Sequence, residues 1–181
     1  MVSCHEHGPP AVKRRRVIAV VAGAAAWLTG CDAARAPVDT LVRWPSVAVV
    51  DLADRPSTLP TSTLRPRLIN VWALWCAPCR RELPALLRLS VMLAPQAIEV
   101  CTVALADDAF AVREYLAQHA AGLPAVRLAP QAPVVQALGL GALPQTFVVA
   151  ADGRVLARWR GAREWDAPEL RDALDRLLDS G

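Results

Sequence analysis

The chain has 181 residues, of which 54% are hydrophobic and 20% are charged. This size and composition fit one globular domain with a packed core and a short additional segment. The formal net charge is +3, but basic residues cluster at positions 13–16, and without residues 1–30 the basic and acidic residues are equal in number. The remaining chain is therefore neutral, which excludes a charge-based case for nucleic-acid binding.

The N-terminal residues have the plan of a signal peptide. Basic residues at 13–16 precede an uncharged, mostly apolar run at 17–28, and small residues follow it. This run is shorter than the roughly 20 residues that a transmembrane helix needs. We therefore predict that residues 1–30 are a signal for export to the bacterial periplasm.

The end of this signal, Leu28-Thr29-Gly30-Cys31, resembles the lipobox of bacterial lipoproteins. The resemblance implies that Cys31 is lipidated and anchors the chain, and Asp32 resembles a signal for retention in the inner membrane. A simple secretory signal with a coincidental cysteine is the alternative. Residues 31–45 contain prolines and little periodicity, so we predict a tether there and a folded domain at 46–181.

Apolar patterning and turn-forming residues predict the elements of this domain in chain order. The predicted strands are 47–52, 67–74, 97–104, 124–128, 145–149 and 154–159. The predicted helices are 78–93, one that begins at 107–108, and 165–178; residues 54–66 are predicted to be a loop. Such an order, with a hairpin near its end, predicts an α/β sandwich with a mixed sheet.

A CxxC motif, Trp75-Cys76-Ala77-Pro78-Cys79, follows the second predicted strand and opens a helix. A spacing of three on the first turn brings both sulfur atoms to one side of the helix, within reach of a disulfide. Backbone N–H groups and the helix dipole stabilise a thiolate at this position and lower its pKa. Cys76 is therefore the predicted nucleophile, which attacks a partner disulfide, and Cys79 resolves the mixed disulfide.

Two structural interpretations of the CxxC compete with the redox one. A zinc site needs two further ligands, for which the mature chain offers only Cys101, in a predicted strand, and His119, on a predicted surface helix. A static bridge over three residues closes a small loop and stabilises little. We therefore expect no metal site, and we expect Cys101 to be an inert buried thiol.

Two segments carry a family resemblance: LINVWALWCAPCRRELP at 68–84 and GALPQTFVV at 141–149. They resemble the active-site segment and the cis-proline loop of the TlpA/ResA-like thiol-disulfide oxidoreductases, membrane-tethered extracytoplasmic members of the thioredoxin superfamily. The resemblance covers about residues 46–178. It implies a thioredoxin fold, a three-layer sandwich with a central mixed β-sheet flanked by helices, and an enzyme that needs no cofactor.

The resemblance also implies the residues that receive a protein substrate. Pro144 would be a cis proline beside the cysteine pair, and the backbone of Leu143 would bond to an extended segment of the partner. Trp75, Ala77 and Pro78 would complete the surface that contacts this partner.

Glu82 is the third site residue that the resemblance assigns. It stands six residues after the first cysteine, where the TlpA/ResA-like pattern has a glutamate, whereas Asn70 replaces the buried aspartate of cytoplasmic thioredoxins. A carboxylate one helical turn beyond Cys79 could carry a proton to or from that thiol. The alternative is a solvated glutamate paired with Arg80 or Arg81.

For the direction of electron flow, the resemblance implies a reductant of specific protein disulfides. A membrane thiol carrier would supply the electrons, and the substrates would be apocytochrome c or copper-site assembly proteins. The alternatives are a periplasmic oxidant or isomerase, although Ala77 stands where oxidants usually have histidine, and a copper-delivery module, which would need His119 beside the cysteines. A peroxidase is disfavoured because Ala73 stands where a threonine is needed.

Overall fold

The computed structural model describes residues 43–106 and 108–179. The strands are β1 Val47–Asp51, β2 Pro56–Leu59, β3 Arg67–Trp72, β4 Glu99–Leu105, β5 Ala125–Leu128, β6 Gln145–Val149 and β7 Val155–Arg160. The helices are α1 Ala77–Leu93, α2 Ala109–His119, α3 Pro133–Ala137 and α4 Pro168–Asp179, with a 3₁₀ turn at Ala94–Gln96.

The strands of the described residues form one mixed sheet in the order β2-β1-β5-β4-β3-β6-β7. β3, β4 and β5 are parallel neighbours, whereas β6 and β7 on one side and β1 and β2 on the other pair antiparallel. Helices flank this sheet. The predicted α/β sandwich with a mixed sheet is confirmed.

β3 is an interior strand of the sheet, between β4 and β6, and determines where the cysteine motif lies. All six of its residues are buried, as expected for a strand covered on both faces. The chain leaves β3 at Trp72 and enters α1 a few residues later, so the motif lies at the carboxyl edge of the sheet. β6 runs antiparallel to β3, with Gln145 opposite Val71, which brings the loop before β6 to the same edge.

Helix α1 buries a different stripe of residues from the one predicted. Leu83 and Leu86 are buried as expected, but Val91 is 68% exposed and Leu89 lies in the core in its place. The reason is that Leu87 and Val91 lie four residues apart on a flank of the helix, while Leu86, Leu89 and Leu93 continue the buried face.

Three further features differ from the sequence prediction. The predicted loop at 54–66 contains β2, an edge strand that begins at a proline and has mostly exposed side chains, so it lacks the alternation that marks a half-buried strand. The five-residue helix α3 was not predicted. Trp165, assigned to the last helix, lies before α4 begins and is fully buried.

The chain enters the domain at Arg43 and Trp44, residues that the sequence assigned to the tether. Trp44 is 1% exposed, and its ring packs against Phe147 with 5.2 Å between centroids. Its amide donates to the carbonyl of Gly153, in the β6–β7 turn, at 2.9 Å.

The predicted signal at 1–30, the predicted anchor Cys31 and the tether up to residue 42 lie outside the described residues. Within the described ranges, no helix combines the length and the apolar character needed to cross a membrane.

Candidate active site

A disulfide joins Cys76 and Cys79, with an S–S distance of 2.01 Å and 5.3 Å between the Cα atoms. Cys76 is the N-cap of α1, and its Sγ accepts the amide N–H of Cys79 at 3.3 Å. Pro78 occupies the first turn, where a missing N–H costs the helix no hydrogen bond. One backbone N–H of the first helical turn, that of Cys79, therefore points at the sulfur of Cys76.

The two cysteines differ in access. Cys79 is fully buried, whereas Cys76 keeps 4% of its surface exposed, and the neighbouring Trp75 is 72% exposed. Ala77 is exposed and Pro78 is half-buried. Of the two cysteines, Cys76 is therefore the one that keeps exposed surface, and it lies next to an exposed apolar rim.

The loop before β6 completes this edge of the sheet. The peptide bond between Leu143 and Pro144 is cis, as the family resemblance implied. Gln145, which follows, pairs with Val71 near the end of β3. The carbonyl of Pro144 accepts the amide N–H of Gly161 at 2.9 Å.

A buried polar pair, Gln145 and Arg158, holds this loop in place. Gln145 Nε2 donates to the carbonyls of Ala142 at 2.7 Å and Gly139 at 3.0 Å. Gln145 Oε1 accepts from Arg158 Nε at 2.9 Å, and Arg158 Nη2 also donates to the carbonyl of Leu138 at 2.7 Å. Sequence reasoning assigned no role to either side chain, because contacts across a hairpin leave no periodic signal.

Glu82 is 3% exposed and accepts three hydrogen bonds. Its Oε1 accepts from Asn70 Nδ2 at 2.8 Å. Its Oε2 accepts from the backbone N–H of Arg163 and from Nε1 of Trp165, each at 3.0 Å. The alternative of a solvated glutamate paired with a neighbouring helix arginine is therefore wrong.

Burial raises the pKa of Glu82 above its ordinary value. The hydrogen bonds from Asn70, from the Arg163 amide and from Trp165, together with the charge of the Arg163 guanidinium, lower the pKa and offset part of this effect. A carboxyl group whose pKa is displaced toward neutrality can both hold and release a proton under working conditions. Glu82 lies three residues beyond Cys79 on α1, so this group is within one turn of the buried cysteine.

Asn70 connects the carboxylate to the sheet. Its Nδ2 donates to Thr146 Oγ1 at 2.9 Å as well as to Glu82, and Asn70 and Thr146 are directly opposite in the β3–β6 pair. Its Oδ1 is buried and has no hydrogen-bond partner among the described residues. Sequence reasoning noted Asn70 only as a replacement and missed Thr146, Arg163 and Trp165.

Cys101 and His119 lie outside this arrangement. Cys101 is a free, partly buried thiol, and burial raises its pKa to about 11. His119 stacks on Tyr115, with 4.2 Å between ring centroids, and its Nδ1 lies 2.9 Å from the Tyr115 carbonyl oxygen. Across the described ranges, no three His, Cys, Asp or Glu side chains are grouped as metal ligands.

Comparison with known proteins gives one family and several relatives. A family model described as Redoxin matches residues 38–175. The thiol:disulfide interchange protein DsbE homolog of Paracoccus denitrificans is 37% identical over 95 residues, covering 52% of this chain and 50% of that protein. The thiol:disulfide interchange protein HelX of Rhodobacter capsulatus is 34% identical over 115 residues, covering 62% and 58%. The thiol-disulfide oxidoreductase ResA of Geobacillus thermodenitrificans is 29% identical over 111 residues, covering 61% and 63%.

The chain thus spans between half and two thirds of the length of these relatives.

Among solved structures, a thiol:disulfide interchange protein from a Bacteroides species has a TM-score of 0.64 at 18% identity, covering 76% of this chain and 89% of that one. A thioredoxin family protein from Chlorobium tepidum has a TM-score of 0.59 at 21% identity, covering 77% and 94%. These likenesses establish the thioredoxin fold, and the relatives confirm the family resemblance seen at 68–84 and 141–149.

Proposed function

The chain belongs to the Redoxin family, and on this basis we propose that it is a thiol-disulfide oxidoreductase that works through Cys76 and Cys79. The observation that carries the proposal is the position of Cys76 at the N-cap of α1. Its Sγ accepts a backbone N–H there, and the same contact stabilises a thiolate once the disulfide is reduced. The other cysteine is buried directly behind it.

In the proposed reaction, two electrons pass from the reduced pair to a disulfide of the partner protein. The Cys76 thiolate attacks one sulfur of that disulfide, and the other sulfur leaves as a thiolate that takes up a proton. The Cys79 thiolate then attacks Cys76 Sγ and releases the first partner sulfur as its second thiol. The products are the reduced partner and the Cys76–Cys79 disulfide, the state in which the structure holds the site.

Glu82 is the proposed proton acceptor for Cys79. A buried thiol must lose its proton before it can attack, and water has no access to a side chain that is fully buried. Glu82 lies one turn further along the same helix, is itself buried, and has a pKa raised by burial. It can therefore take the proton from Cys79 when the mixed disulfide is resolved and return it when the pair is reduced again.

The proposed partner surface surrounds Cys76. Trp75 and Ala77 are exposed and Pro78 is half-buried, which gives an apolar rim beside the sulfur. The backbone of Leu143, held next to Pro144 at the same edge, is the proposed hydrogen-bonding partner for an extended segment of the substrate.

The proposed location is the periplasmic face of the bacterial cell membrane, with Cys31 as the lipid anchor. There the domain would act as a reductant of specific protein disulfides, of the cytochrome c maturation or copper-site assembly type, with electrons from a membrane thiol carrier. Cys31→Ala should move the full chain from the membrane fraction to the soluble periplasmic fraction. Membrane retention equal to that of the parent would overturn the lipid anchor.

The trapping of partners tests the proposed reaction. With Cys79→Ala in the full chain, mixed disulfides should accumulate on Cys76 and appear as reductant-sensitive bands on non-reducing gels. Cys76→Ala is the matched control, because it leaves one cysteine of the pair but removes the accessible sulfur. Equal bands from both variants, or none from either, would overturn the assignment of Cys76 as the attacking sulfur.

The direction of electron flow is tested by the reduction potential of the Cys76–Cys79 pair. A reductant should have a potential closer to about −270 mV than to about −120 mV, the two ends of the range known on this fold. A value near the upper end would overturn the reducing role and favour a periplasmic oxidant.

The role of Glu82 is tested by the pH dependence of thiol alkylation in the reduced protein. Glu82→Gln should change the pH profile of this reaction, whereas Glu114→Gln, an exposed glutamate on α2, should leave the profile unchanged. Superimposable profiles for the parent and Glu82→Gln would overturn proton transfer through this carboxyl group.

A further inference from the structure

The segment between β7 and α4, residues 161–167, is attached to the site at three points. The Gly161 amide donates to the Pro144 carbonyl at 2.9 Å. The Arg163 amide and Trp165 Nε1 both donate to Glu82 Oε2 at 3.0 Å. Asp166 accepts from Arg88 Nε on helix α1 at 2.9 Å. The segment is thus held at both ends, and its middle covers the Glu82 carboxylate.

The hydrogen bonds to Glu82 suit the ionised carboxylate. One oxygen accepts from the Asn70 amide nitrogen, and the other accepts from the Arg163 backbone and the Trp165 indole. All three are N–H donors, which cannot accept a hydrogen bond from the O–H of a neutral carboxyl group. The three donors therefore favour the ionised form of Glu82, whereas burial of the same carboxyl group favours the neutral form.

We propose that Trp165 is a positioning residue whose indole N–H, held over Glu82 by the β7–α4 segment, sets the balance between the neutral and ionised forms of that carboxyl group. The proposal rests on the proposed function in one respect: Glu82 must exchange a proton with Cys79 for this balance to affect the redox reaction. The contact itself does not depend on that role.

The hydrogen bond from the Trp165 indole nitrogen to Glu82 is a contact that apolar packing alone does not require. Trp165 is fully buried, and its ring lies 5.8 Å from that of Trp159. A phenyl ring could maintain an apolar contact of this kind, but it could not donate to the carboxylate. A buried indole N–H without an acceptor would itself be costly, so Trp165 and Glu82 satisfy each other.

Three elements besides α1 place polar or charged groups near Glu82: β3, β6 and the β7–α4 segment. On β3 and β6 the neighbours are Asn70 and Thr146, which are neutral. On the β7–α4 segment the only charge that acts on it is the Arg163 guanidinium, which lies 5.4 Å above the ring of Trp159. On α1 itself the nearest titrating group in the reduced protein is Cys79, one turn away. Trp165 is the donor that a substitution can remove while the backbone donor and the link to the sheet stay in place.

The experiment is a titration of Glu82 by carbon NMR, in the full-length oxidised protein labelled with ¹³C at the glutamate carboxyl groups. The resonance that disappears in Glu82→Gln identifies the residue. In Trp165→Phe we expect the Glu82 midpoint to rise by about one pH unit, the scale expected when a carboxylate loses one charge-assisted hydrogen bond.

Trp44→Phe is the matched control. Trp44 is as deeply buried, and its indole nitrogen has no hydrogen-bond partner within the described ranges, so its loss removes the same atoms without a bond to Glu82. A second variant carries 3-benzothienylalanine at position 165, which keeps the shape of the indole and has a sulfur atom in place of the N–H. This variant keeps the proposal testable if the phenylalanine variant fails to fold, and it should give the same upward shift.

A Glu82 midpoint that is unchanged in both position-165 variants overturns the proposal, and so does an equal shift in Trp44→Phe. An upward shift confined to position 165 supports it. Alkylation of the reduced thiols then tests the proposed function separately: the profile should shift in Trp165→Phe but not when the same change is made on the Glu82→Gln background. If the Glu82 midpoint moves and the thiol profile does not, Trp165 controls Glu82 as proposed, and proton transfer from Glu82 to the thiols is overturned.

Discussion

Asparagine and aspartate have nearly the same shape, so Asn70→Asp replaces the Nδ2 donor to Glu82 and Thr146 with a carboxyl oxygen and leaves the packing little changed. In the parent, Asn70 Nδ2 lies 2.8 Å from Glu82 Oε1, and in the variant a carboxyl oxygen would occupy that place. Two ionised carboxylates at this distance repel each other by about 6 kcal/mol at an effective dielectric constant of about 20. The pair is therefore expected to keep one proton between the two oxygens at neutral pH.

This retained proton makes the stability of the variant depend on pH. In the unfolded chain both groups ionise above about pH 4.3, so folding must take up one proton, and stability falls by about 1.4 kcal/mol for each pH unit. From about pH 4.5 to 7 the loss amounts to roughly 3 to 4 kcal/mol. The parent loses stability in the same direction, because burial raises the pKa of Glu82 in the folded state. Its decline ends once the pH exceeds that raised pKa, whereas the decline of the variant continues.

Urea unfolding of the oxidised protein, followed by tryptophan fluorescence at several values between pH 5 and 8, measures this difference. The double variant Asn70→Asp with Glu82→Gln is the control, because it contains one carboxyl group in place of two and should return the slope toward that of the parent. Parallel stability curves for the parent and Asn70→Asp would refute the contact between Asn70 and Glu82, and with it the geometry on which the proposed proton transfer depends.

Three other predictions concern the core, a turn and the free thiol. Leu86→Ala should lower the free energy of unfolding by about 2–5 kcal/mol, whereas Val91→Ala, on the exposed flank of the same helix, should change it by less than about 0.5 kcal/mol; equal losses in urea unfolding would contradict the assigned buried face. Gly153→Ala should lower the melting temperature, because the residue has φ +93° and an added Cβ would lie 2.5 Å from a backbone carbonyl oxygen; an unchanged value in calorimetry would speak against this turn. In the reduced protein at pH 8, iodoacetamide should label Cys76 well before Cys101, whose pKa is raised to about 11 by burial; mass spectrometry that finds Cys101 labelled first would reverse the assignment.

The parts of the fold that the sequence predicts are those with a strong local pattern. β3 and β6 are rich in large apolar residues, and the strand–CxxC–helix order is visible in consecutive residues, so the position of the disulfide follows from local rules. β2 could not be found in the same way, because an edge strand with exposed side chains carries no apolar alternation.

In the candidate site too, the residues of local motifs could be predicted and the contacts between distant residues could not. Cys76, Cys79 and Pro144 belong to motifs and were found from the residues or the resemblance. The donors to Glu82 were not, since its contacts with Arg163 and Trp165 span 81 and 83 positions. Contacts at such separation arise because the segment after β7 packs against α1, and no periodicity or spacing encodes them.

Trp44, at the start of the described chain, lies far from the disulfide. Trp44 bonds to the β6–β7 turn, and β6 ends opposite the start of β3, so the chain joins the domain at one edge of the sheet while the disulfide lies at the other. The six residues of β3 separate these edges by about 20 Å. The described chain therefore begins at the end of the domain remote from the cysteine pair, so a change at Arg43 or Trp44 acts on the turn between β6 and β7 before it reaches the disulfide.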